Sequence, residues 1–189
     1  MLVMKNIKIS LITICSILLL QGVMAQNYDY RDGRRFDYVN GVAGATYICY
    51  SKIPGGVILY NENNYLTFVN QKKMDGSKML IHGDDYYDIP DSKLGMVYDI
   101  ITSHLTVAER NRVKEPVLTV RLYIDSNTGK VREVNFHFLT DEGFATIAPA
   151  TYYKIETELK SKFSVTMLPE GRKLNHNIYG FTYSYMPHW

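Results

Sequence analysis

Apolar and polar positions alternate with period two through much of the chain, the pattern of strands with one buried face. Leu118, Val120, Leu122 and Ile124 alternate with Thr119, Arg121 and Tyr123. Ser126-Asn127-Thr128-Gly129 reads as a turn, after which Val134, Phe136 and Phe138 alternate with Glu133, Asn135 and His137. Pro149 then suits the first turn of a helix whose apolar stripe is Tyr152, Ile155, Leu159 and Phe163. Glu156–Lys160 and Glu158–Lys162 are i, i+4 pairs assigned to its wet side. Leu168-Pro169-Glu170-Gly171 breaks the chain, and Tyr179, Phe181, Tyr183 and Tyr185 alternate in a final strand. The order is ββαβ. Each strand has one apolar face and the helix one stripe, so each covers the other. Glu133, Asn135 and His137 are expected to face solvent; burial there would mark a second, interacting face.

The first half is less regular. Ala45–Ser51, Val57–Tyr60 and Tyr65–Asn70 read as strands, and Lys78–His82 as a short one, with Pro54-Gly55-Gly56, Asn61–Asn64 and Asp75-Gly76 as turns. Asp91-Ser92 opens a helix carrying Leu94, Val97, Tyr98, Ile101, Leu105 and Ala108 on one stripe. Thr106-Val107-Ala108-Glu109 is a capping-box pattern, which predicts a break near His104 and a restart, and Pro116 ends the helix. Gln26–Asn40, with Tyr28, Tyr30 and Tyr38, has no sustained period and reads as a tyrosine-rich arm. The fold expected is α+β: an antiparallel sheet with two helices packed on one face and a ββαβ C-terminal half. Residues 41–189 form one domain with a seam expected near Pro116.

Met1–Ala25 has the layout of a secretory signal peptide. Lys5 and Lys8 precede the apolar run Ile9–Leu20, and Val23-Met24-Ala25 supplies small residues for cleavage before Gln26. The run is about a dozen residues against roughly 20 needed to span a bilayer. The protein is therefore expected in the periplasm or outside the cell, with no membrane insertion after cleavage. Cleavage removes two lysines and no acid, so the 21 basic and 19 acidic side chains of the whole chain come into balance. Capture of nucleic acid by charge is thereby excluded as a main role. Of the two cysteines, Cys15 leaves with the signal, and Cys49 reads as a lone buried thiol.

Val120–Asp125, then Gly129-Lys130-Val131-Arg132-Glu133-Val134, the helix, and Pro169-Glu170-Gly171 before the last strand together resemble the C-terminal domain of the TonB energy-transducing protein. The resemblance covers Val117–Pro187 and implies a ββαβ periplasmic module. No Pro-rich spacer accompanies it, so only the fold is carried over. In size, in the Gln after the signal and in Tyr and Asn richness, the whole chain is similar to small exported Bacteroides proteins of unknown function. That similarity implies location, not activity.

Candidate chemistry is sparse. No Gly-x-Ser-x-Gly, phosphate-binding loop or dinucleotide fingerprint occurs. His82, Asp84, Asp85, Asp88 and Asp91 are the densest acidic group, but their spacing fits no calcium loop. The five histidines at 82, 104, 137, 176 and 188 have no zinc-ligand spacing. No catalytic residue, metal or cofactor is assigned. Tyrosine stands out, with 16 in the chain. It combines a large apolar face with a hydroxyl and little rotamer entropy, which suits binding surfaces. Most tyrosines are expected in the core; Tyr86, Tyr87 and Trp189 are the candidate ligand contacts, with Tyr86, Tyr87 and the arm expected exposed. The reading is an exported, non-catalytic binding or interaction module whose partner is a protein or glycan of the cell envelope. The alternative is a small hydrolase acting on envelope or glycan material. A cleft gathering a nucleophile, a base and an orienting group would favour the alternative.

Overall fold

The computed structural model describes residues 28–37, 39–42, 44–52, 54–79, 86–113, 117–141 and 143–184. Met1–Ala25, Pro116, Tyr185 and Trp189 lie outside that set, as does most of the expected Lys78–His82 strand and the His82–Asp85 acidic run.

Six strands form one antiparallel sheet in the order β1-β2-β3-β6-β5-β8. They are β1 (Arg35–Phe36), β2 (Tyr47–Tyr50), β3 (Gly56–Asn61), β5 (Leu118–Ile124), β6 (Val131–Leu139) and β8 (Asn177–Tyr183). A separate pair, β4 (Tyr87–Asp88) and β7 (Thr166–Met167), forms a second small sheet. The β5–β6 hairpin turns where expected. Asp125 Oδ1 accepts hydrogen bonds from the Asn127 and Thr128 amides at 3.0 and 2.9 Å. Gly129 closes the turn at φ +71°, and a Cβ there would collide with the Val165 carbonyl.

One face of the sheet carries the core. Leu118, Val120, Leu122, Val134 and Phe136 are all 0 % exposed. Against them packs α4 (Pro149–Lys162), because Tyr152, Ile155 and Leu159 recur at helical spacing on one side. The Tyr152 ring lies 4.9 Å from Phe136 and 5.5 Å from Phe138. Each such buried side chain is worth about 1.5–3 kcal/mol. The earlier helix is interrupted, as the capping box predicts: α1 (Asp91–Leu94), α2 (Met96–His104) and α3 (Val107–Arg112) follow one another. Thr106 accepts from the Glu109 amide while the Glu109 carboxylate accepts from the Thr106 amide. Helix α2 buries Val97, Ile100 and Ile101 on the same sheet face, with Tyr98 5.1 Å from Tyr183. The architecture is thus α+β, with α2 and α4 on one face.

Several expectations change. Tyr30 of the expected arm is 1 % exposed, its hydroxyl donating to the Ile147 carbonyl at 2.6 Å, and Arg35–Phe36 is an edge strand. Its ring fills space beside Phe138 and Tyr152, a burial that no periodicity signals. Tyr65–Asn70 is not a strand: Leu66–Phe68 is a 3₁₀ turn. Glu156 is on the buried side of α4, where it accepts from the Tyr47 hydroxyl and from Lys160 Nζ at 3.1 Å. Glu133 and Asn135 are buried as well. The last point makes the sheet two-faced.

Candidate functional site

Among the described residues, the second sheet face is covered over one half only. After β3 the chain turns through Asn61–Asn64 and crosses the sheet as a strap, residues 62–76. Glu133 latches it, its carboxylate accepting the Leu66 and Tyr65 amides at 2.8 and 3.0 Å. Asn64 Nδ2 donates to the Val134 carbonyl at 3.0 Å and to Asn135 Oδ1 at 3.2 Å. Farther on, Lys73 pairs with Leu174 as a β-bridge and with Glu170 as an ion pair at 2.7 Å. Burial pushes the Glu133 carboxyl up, while the Leu66 amide pulls the other way. Beneath the strap His176 is 0 % exposed, and neither ring nitrogen has a partner among the described residues.

The other half carries no cover among the described residues. Thr182, Thr119, His137, Ile58 and Tyr50 stand side by side across five strands. In the next row Gly180, Arg121, Asn135 and Tyr60 are aligned. Paired residues share a face, so these rows form a floor. Over it lies a cleft of about 640 Å³, floored by Ile58, His137 and Arg121 and walled by Tyr50 and Leu139, with Lys52 and Val117 at the rim. Phe68, at the edge of the strap, sits edge-on to Tyr50 at 5.0 Å and to Tyr60 at 5.5 Å, which fixes where the strap stops. Val117, Leu139 and Phe68 are exposed.

Among the described residues the electrostatics are one-sided: Arg121 and Lys52 line the cleft and no carboxylate does. His137, expected at the surface, is half-buried, with Nε2 unpartnered among the described residues. Burial and then the Arg121 charge push its pKa down to about 4, so the ring is neutral at ordinary pH. The charge beside it is therefore that of the Arg121 guanidinium alone. Among the described residues the cleft lining holds no Ser or Cys. Cys49 faces the helices, 1 % exposed, and burial pushes its thiol up to about 12. Among the described residues no three His, Cys, Asp or Glu side chains gather to hold a metal ion.

The tyrosines singled out from the sequence lie elsewhere. Tyr86 is 4 % exposed, a correction to its expected exposure: its carbonyl takes the Leu168 amide at 3.1 Å and packs on Gly171. Tyr87 is half-buried in β4, donating its hydroxyl to the Ile178 carbonyl at 3.0 Å. Neither lines the cleft, and Trp189 is outside the described residues. Arg121 and His137 were visible as mid-strand polar residues on one face. Only the register that sets their strands side by side shows that they share a site.

Comparison with known proteins agrees with the architecture and leaves the chemistry open. The fold is similar to the crystal structure of a DUF5043 family protein from Bacteroides uniformis ATCC 8492, with a TM-score of 0.77 at 25% identity over 86% of this chain and 91% of that one. No curated protein matches the chain. A family model described as a domain of unknown function, DUF5043, matches residues 33–181, and the chain belongs to that family.

Proposed function

We propose that the protein is an exported, non-catalytic binding module of a bacterial envelope, and that the open half of the second sheet face is its ligand seat. The observation that carries this reading is the cleft itself. A rigid sheet supplies its floor, exposed apolar side chains its walls, and a few polar groups converge on it. Its volume falls in the range of small-ligand sites. Export is supported by the Met1–Ala25 pattern. The half from Val117 onward keeps a TonB-like ββαβ plan within this proposal, supported by the order β5, β6, α4, β8, with no energy-transducing role attached.

The test is a binding screen against envelope glycans and proteins, run on the wild type and on Ile58→Trp, which fills the cleft from its floor. A ligand retained by the wild type and lost by the variant is the expected result. Turnover of a glycan or peptide substrate, abolished by one carboxylate or Cys49 substitution, would overturn the reading in favour of the hydrolase.

A further inference from the structure

Arg121 occupies an unusual place. It is exposed in the middle of β5, between β6 and β8, where a central strand ordinarily carries side chains covered by neighbours. Arg31, Arg35 and Arg132 each face a carboxylate. Arg121 faces none among the described residues, and its polar neighbour is the Tyr123 hydroxyl on its own strand. Directly across on β8 stands Gly180, where an added Cβ would meet nothing within 4 Å. The guanidinium therefore has free space beside it, and its fork of donors matches a planar or tetrahedral anion. Lys52 adds a second positive charge at the rim, 6.0 Å from the Tyr50 ring.

The rest of the cleft is apolar. Ile58 and Tyr50 form part of a flat sheet surface, and Leu139 and Val117 are 40 % and 45 % exposed at its margin. An apolar lining with a few convergent polar groups suits a small ligand. The volume of about 640 Å³ suits a small molecule.

From the binding reading of the cleft, on which this step rests, we infer that its ligand is a small amphiphile: a flat apolar body on Ile58, Tyr50 and Leu139, with one anionic group held by Arg121. Charge complementarity selects the anion, since the described lining holds two cations and no acid. His137 lies one row away and is neutral, so it adds no charge to the seat.

The experiment uses two fluorescent probes with nearly the same aromatic body. 1-Anilinonaphthalene-8-sulfonate carries one anionic group, and N-phenyl-1-naphthylamine carries none. Both are titrated into the full chain, into Arg121→Met and into Ile58→Trp, with near-ultraviolet circular dichroism confirming that each variant is folded. If Arg121→Met does not fold, Lys52→Met and Arg121→Lys replace it. The wild type should bind the sulfonate at one site, more weakly as salt rises. Arg121→Met should weaken the sulfonate about ten- to hundredfold while leaving the neutral probe nearly unchanged, and Ile58→Trp should weaken both. Unchanged sulfonate affinity in Arg121→Met, or equal loss of both probes, would overturn the inference, because Arg121 would then not be what holds the anion. If neither probe binds at one site, both the inference and the binding reading are overturned. Binding that appears only after residues beyond Ser184 are removed, or only when a dimer dissociates, also overturns it, because the chain itself would then be the occupant.

Discussion

The Glu133 carboxylate, in the middle of a sheet strand, accepts the backbone amide of Leu66 at 2.8 Å, from the strap that crosses above it. A residue that alternation places on the wet side thus holds down the cover of a second buried face. Glu133→Ala would leave the Leu66 and Tyr65 amides without their acceptor and should cost about 1–3 kcal/mol in urea melts. Hydrogen exchange at those two amides should speed up more than exchange in β5. An unchanged exchange rate would mean that the strap is held by its other contacts alone.

Asn135 deserves the same reassessment. It is 1 % exposed, with Nδ2 donating to the Tyr123 hydroxyl at 3.1 Å and Oδ1 accepting from Asn64. Asn135→Ala should cost about 1–3 kcal/mol, as burial of its orphaned partners requires, rather than the ~0.5 kcal/mol of a surface change. On the other face, Phe136→Ala and Leu159→Ala should each cost roughly 2–5 kcal/mol by opening cavities between β6 and α4. Urea melts of the three variants check all of this. A surface-like value for Asn135→Ala would show the strap to be open in solution.

The contrast shows what the sequence can carry. The β5–β6 hairpin, the stripe of α4 and the break before α3 are legible because each is a local pattern: alternation, helical spacing, a capping box. The strap is not, since Tyr65–Asn70 has strand-like composition and its bonds go to residues nearly seventy positions away. Nor is Tyr30, whose burial depends on Phe138 and Tyr152 meeting it from distant elements. The site suffers most. Arg121 and His137 become neighbours only through the β5–β6 register, and Ile58 joins them only because β3 pairs with β6. Tyrosine count pointed instead to Tyr86, whose ring is in the interior.

Gly171 offers a test of that interior. A Cβ there would collide with the Tyr86 carbonyl, a backbone atom fixed by the Leu168 amide and by the adjoining β4–β7 pair. Because backbone cannot swing aside as a side chain does, Gly171→Ala should cost about 1–3 kcal/mol or more through overpacking. Gly180→Ala meets open space and should stay within about 0.5 kcal/mol. Thermal melts of the pair separate a steric effect from the general loss of glycine. Equal shifts would show that the Tyr86–Gly171 approach is looser than the structure has it.

His137 couples the cleft to pH. Its pKa is lowered to about 4 from the ordinary 6.5, with burial the first cause and Arg121 the second. The unfolded chain therefore takes up a proton in that window which the folded chain refuses. Stability from this group is complete above about 6.5 and is lost as pH falls toward 4. His176, also lowered by burial, acts in the same direction. Glu133, raised by burial, acts in the opposite one, because the folded state holds its proton more tightly. His137→Gln should remove only the first contribution. Urea melts at about pH 7.5 and about pH 4.5 should then show the wild type losing more stability than the variant between the two, with His176 and Glu133 common to both proteins and cancelling in the comparison. A variant that loses as much as the wild type would mean that the His137 ring is solvated, and that the floor of the cleft is wetter than its apolar walls imply.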